Sequence, residues 1–107
     1  MSHLTMNEQI YMIAIWHLGE NAYGVKIREK VMDMTGKSMV FGTLYNNLDQ
    51  LVKKGYVMTE KGEPDTNRGG NTKVFYRISK VGKTALQESR SLQESLWIGI
   101  PRNAFSL

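Results

Sequence analysis

The sequence contains no cysteine. That absence excludes disulfides, thiol nucleophiles and thiolate metal centres, and it fits a reducing cytoplasm. Histidine is scarce as well: His3 and His17 are too few to ligate zinc, so no metal is expected, and His17 is read as a favourable charge at a helix C-terminus. The longest apolar run, Ile10 to Trp16, is seven residues, far short of the roughly 20 that cross a bilayer. The N-terminus has no basic stretch followed by an apolar segment and a small-residue cleavage site. A cytoplasmic chain with no membrane partner is expected. Catalytic groupings are missing too. Asp33, Asp49, Glu60 and Glu63 sit among polar neighbours, and no Ser/His/acid set or phosphate-cradling glycine motif is present. Neither an enzyme nor a cofactor is expected.

What remains is an ordinary globular composition, 41% hydrophobic and 22% charged over 107 residues, which suits one domain that gains from a partner subunit. Its charge is uneven. The formal net charge is +4, yet residues 1–50 carry four basic and five acidic side chains, residues 51–83 eight and three, and residues 84–107 two of each. All of the excess therefore lies in the central stretch. A local basic block suits a polyanionic partner through phosphate neutralisation; a solvated face with spare lysines is the plainer reading of charge alone.

Thr5 and Glu8 have the spacing of a capping box, and the segment up to Leu18 reads as a first helix stopped by Gly19. Its apolar residues occupy more than one face, with Trp16 expected in the core, so burial on several sides and hence a dimer are expected. A second helix is predicted over Tyr23–Thr35, ended by Gly36, and a third over Phe41–Lys54, with Leu44, Leu48 and Leu51 on one side. The opposite side presents Gly42, Asn46, Asp49, Gln50 and Lys53, flanked by Thr43 and Asn47. Tyr56–Glu60 and Val74–Ile78 read as strands joined through turn formers from Gly62 to Asn71. Ser79 begins a last helix, ending near Ile98, whose Val81, Ala85, Leu92 and Leu96 form a narrow seam.

Helix, helix, helix, strand, loop, strand, helix is the order of a winged helix-turn-helix: α+β, mainly α, with three helices, a hairpin wing and a C-terminal dimerisation helix. Residues 1–78 form the expected DNA-binding domain and 79–107 the dimerisation helix and tail. The third helix would enter the major groove, with amide side chains able to pair with base edges and lysines and arginines on phosphates.

The sequence also resembles a known family. Phe41-Gly-Thr-Leu-Tyr45 with Leu48, Leu51 and Lys54-Gly-Tyr-Val57 is similar to the third-helix signature of PadR transcriptional regulators. Ala22-Tyr-Gly-Val25 resembles that family's second-helix start. Arg68-Gly-Gly70, Phe75-Tyr-Arg-Ile-Ser79 and Gly82 resemble its wing. The match covers about Met6 to Leu86 and departs at Phe41, where the family usually carries proline. The resemblance implies a homodimeric repressor of the short subclass, with the first and last helices making the dimer and, in some members, a flat apolar pocket between subunits.

The expected DNA contacts are Tyr23, Thr43, Tyr45, Asn46, Asn47, Lys53, Lys54, Arg68 and Lys73. Asn46 and Asn47 are assigned to base edges; Lys53, Lys54, Arg68 and Lys73 are assigned to phosphates. Tyr45 and Tyr23 either touch the backbone or lie half-buried, and Thr43 either caps, packs or touches DNA. The expected dimer contacts are Val81, Ala85, Leu92 and Leu96. Trp97 either stacks on a small aromatic or planar effector that releases the repressor, or packs the interface. The partners expected are therefore double-stranded DNA, a second copy of the chain and that effector. A winged-helix module that docks another protein is the alternative, although such a module has no need of the basic block.

Overall fold

The computed structural model describes residues 4–65 and 71–106, so Arg68 lies outside the described residues. Helix α1 spans Met6–Leu18, and its capping box is realised. The Glu8 amide donates to Thr5 Oγ1 at 3.0 Å, and the Thr5 amide donates to Glu8 Oε1 at 2.8 Å. The other carboxylate oxygen of Glu8 accepts from Lys54 Nζ at 2.7 Å, which ties the start of α1 to the end of the third helix. Burial pushes the Glu8 carboxyl up, but Lys54 and both groups of Thr5 more than offset this and hold it below the ordinary value of 4.5. The stabilisation from ionised Glu8 is thus present above pH 4.5 and is lost as pH falls through the lowered value. Chemical denaturation of Glu8→Gln beside the parent should show a stability gap at neutral pH that closes as the pH falls below 4.5. A gap independent of pH would mean that ionisation of Glu8 contributes nothing.

One face of α1 buries Tyr11, Met12, Ala14 and Ile15. A second face leaves Met6, Ile13 and Trp16 exposed. Trp16 was expected in the core but is 68% exposed; lying about 100° around the helix from Ile15, it faces away from the one core that a single chain provides. A short 3-10 turn, Gly19–Asn21, leads to α2, Gly24–Thr35, and then to α3, Phe41–Lys53. Ile27 and Val31 of α2 meet Leu44, Leu48 and Leu51 of α3 in the core beside α1.

Strands β1, Val57–Asp65, and β2, Asn71–Ile78, form an antiparallel hairpin. Both run several residues further toward the tip than the predicted strands. The ladder continues past Gly62 and Pro64 by a register shift between Lys61 and Pro64, and a two-stranded sheet, all edge, tolerates proline. The base of the hairpin is fastened to the start of α2: the Tyr76 amide donates to Ala22 O at 2.8 Å, and Tyr23 pairs with Phe75 in an isolated bridge.

Helix α4, Lys80–Trp97, is capped by Ser79, whose hydroxyl accepts from the Gly82 amide at 3.0 Å and donates to Gly55 O at 2.5 Å. Gly82 and Ser89 are buried, and Ala85 and Leu86 pack on the core. Farther along, Gln93 Nε2 donates to Gln9 Oε1 of α1 at 3.3 Å, whereas Leu92, Leu96, Trp97 and Ile98 are exposed. No helix among the described residues is long and apolar enough to cross a membrane.

Candidate nucleic-acid interface

The three buried leucines of α3 fix which side of that helix faces out: Gly42, Thr43, Asn46, Asp49, Gln50 and Lys53 are all exposed. Its first turn is unusual. Val40 occupies the N-cap in extended conformation without a side-chain cap. The Phe41 ring is partly exposed and lies against Tyr45, with centroids 6.3 Å apart and planes 21° from parallel. Arg28 of α2 sits over the Phe41 ring at 4.7 Å while its Nε donates to the Met39 carbonyl at 2.6 Å. The helix begins at Phe41 all the same, since any residue with helical dihedrals can hold the first position.

Beside this turn the hairpin and the N-terminus of α2 enclose a groove of about 290 Å³ lined by Tyr23, Gly24, Tyr45, Lys73 and Tyr76 among others. The Lys73 ammonium lies over the Tyr23 ring at 4.4 Å, and the other aromatic partner of Tyr23 is Phe75, edge-on at 5.7 Å. A side chain at Gly24 would have to displace the end of the Tyr45 ring. Burial raises the Tyr76 hydroxyl above its ordinary value, and the charges of Asp49 and Tyr45 add to the shift, so Tyr76 stays neutral. A cation, a helix N-terminus and tyrosines around one groove make a surface suited to a phosphate.

Of the residues expected at DNA, the structure brings Tyr23, Tyr45 and Lys73 together around this groove and turns Thr43, Asn46 and Lys53 outward on α3. Two others are occupied inside the molecule. Asn47 Nδ2 donates to Tyr11 Oη and to Thr43 O, both at 3.0 Å, and its oxygen accepts from Asn7 at 3.2 Å. Asn47, expected at a base edge, braces α1 against α3 in the single chain. Lys54, past the end of α3 and expected at a phosphate, is ion-paired with Glu8 in the single chain. Tyr11 in turn donates to Met39 Sδ at 2.9 Å. Val40, Phe41 and Arg28 join the surface without having been expected there; the one sequence signal was Phe41 standing where proline is usual.

On the other side of the molecule, Val81, Leu92 and Leu96 point to solvent, while Ala85 packs partly against its own core. Trp97 is 58% exposed and meets Phe105 edge-on at 6.4 Å. A larger groove of about 560 Å³ lies between α1 and α4, walled by Ile13, Trp16, Leu86, Lys83 and Arg90 among others, and Trp97 does not line it.

The model of the transcriptional regulator PadR-like family matches residues 14–88. Among solved structures the chain is similar to a PadR-like transcription factor of B. fragilis, with 26% identity and a TM-score of 0.71 over 85% of this chain and 82% of that one. It is similar to RosR of H. salinarum at 26% identity and a TM-score of 0.69, over 92% and 81% of the two chains. A transcriptional regulator from Clostridium thermocellum, 24% identical, shares the fold with a TM-score of 0.68 over 94% and 92%. No protein of curated function matches in sequence.

Proposed function

The chain belongs to the PadR-like family of transcriptional regulators, and from that membership we propose that it is a homodimeric repressor acting on a two-fold operator in double-stranded DNA. The observation that carries this reading is the exposed ridge of α3 together with the groove of Tyr23, Tyr45 and Lys73, which α3 itself lines through Tyr45. In this reading residues 1–78 bind DNA in the cytoplasm and residues 79–107 join the subunits. Asn46 reads a base edge; Tyr23, Tyr45, Lys53, Lys73 and Arg68 hold phosphates; Thr43 lies against the groove wall. A small planar molecule stacked on Trp97 releases the operator by favouring a subunit angle at which the two α3 helices no longer match the half-site spacing.

Duplexes selected from random DNA, titrated at several salt concentrations, test this. Lys73→Ala should weaken binding to selected and random duplexes alike and reduce the salt slope by about one. Asn46→Ala should cost roughly 1–3 kcal/mol on the selected duplex alone. Failure to select any duplex, with binding insensitive to salt, would sink the reading in favour of a protein-docking module.

A further inference from the structure

The first turn of α3 departs from local helix preferences at Val40 and Gly42, on either side of a partly exposed aromatic residue. An N-cap favours Ser, Thr, Asp or Asn, whose side chain accepts from a free backbone amide; Val40 stands there, makes no cap and is 68% exposed. Phe41 follows, 43% exposed. Gly42 is exposed, lacks a positive φ, and a Cβ built on it would meet nothing within 4 Å. Glycine is therefore needed there neither for its backbone nor for packing, yet it is a poorer helix former than alanine. Local rules broken without internal compensation mark positions shaped by something outside the chain.

The chemistry of the three residues says what that is. Arg28 over one side of the Phe41 ring and Tyr45 alongside it hold the ring in place, so Val40 and Phe41 offer a fixed apolar surface. The bare backbone at Gly42 lets that surface come close to its target. In the major groove the apolar feature that distinguishes one base pair from another is the C5 methyl of thymine, and the N-terminal residues of a recognition helix are the ones that meet base edges. We infer that Val40 and Phe41, seated through Gly42, read thymine methyl groups, so that each operator half-site carries a thymine whose methyl is required. This rests on the proposed placement of α3 in the major groove and adds a source of specificity that needs no hydrogen bond.

Replacing thymine by deoxyuridine deletes the methyl and leaves base pairing intact. Each thymine of a selected duplex is exchanged in turn, and the duplexes are titrated calorimetrically with the parent protein, Val40→Ser and Phe41→Ala. Removing one buried methyl should lower parent affinity about four-fold in a half-site and about fifteen-fold when both half-sites are changed. At that position the penalty should vanish in Val40→Ser or Phe41→Ala, while the other thymines remain neutral. Val40→Ser should melt no lower than the parent, since serine caps better than valine, and this separates lost reading from lost folding. The inference is overturned by binding indifferent to every uridine, or by a penalty that persists unchanged in both variants. Absence of any specific duplex binding would overturn the proposed function together with it.

Discussion

Gly82→Ala should be the most damaging glycine-to-alanine change among the described residues, destabilising the chain by about 3 kcal/mol and lowering the melting temperature by at least about 10 °C. A Cβ at Gly82 would be driven into the carbonyl of Tyr56 and the side chain of Ile78. The carbonyl cannot yield. It accepts from the Ser79 amide at 3.0 Å, and Ser79 at the same time caps α4 and holds Gly55 O. Moving it would loosen the junction of α3, β1 and α4 together. Gly42→Ala is the matched control: the same atom added where it meets nothing should leave the melt unchanged or raise it. Thermal denaturation of the two variants side by side decides the matter. Equal melts would mean that α4 does not dock on Tyr56 as tightly as described.

The second large effect is expected at the far end of α4. Leu92 and Leu96 are 43% and 63% exposed in a single chain, so an aspartate at either costs the isolated fold little. In the proposed dimer the same side chains meet the partner, and an unpaired charge buried there is worth about 3–5 kcal/mol against association. Leu92→Asp and Leu96→Asp should therefore sediment as monomers with near-parental melts at low concentration. Operator affinity should fall by at least about 100-fold, because each half-site must then be bound without its neighbour. Dimers of normal stability in either variant would move the interface elsewhere.

The parts of this structure that depend on near neighbours were legible from the sequence, and those that depend on distant pairs were not. The capping box of Thr5 and Glu8, the stops at Gly19 and Gly36, and the leucine spacing of α3 are local matters of backbone and periodicity; each appears where expected. The strands were read short because Gly62 and Pro64 are turn formers by composition, whereas a register shift carries the ladder through them. Trp16 was misplaced because an apolar residue on a helix looks the same whether its own chain or another covers it. The internal partners of two expected site residues were hidden for the same reason. Asn47 is engaged by Tyr11, 36 residues away, and Lys54 by Glu8, 46 residues away; a polar side chain on the right face reads as free until its partner is known. Arg28 and Phe41 meet across the link between two helices, and no periodicity announces that contact.

The two indoles of this chain occupy places that decide what light can report about it. Trp16 and Trp97 are 68% and 58% exposed, and the core is built without tryptophan, around Tyr11, Met12, Ile27 and the leucines of α3. Emission excited at the indole band therefore begins, in the single folded chain, from rings already in water. Unfolding removes little that those rings feel, so their spectrum is a poor clock for loss of the core. Whatever settles on the outer face of α1 or on the tip of α4 takes solvent away from one ring at a time. The molecule thus carries two separate optical probes of its own periphery, and a melt followed by tryptophan would record the departure of neighbours before it recorded the collapse of the fold.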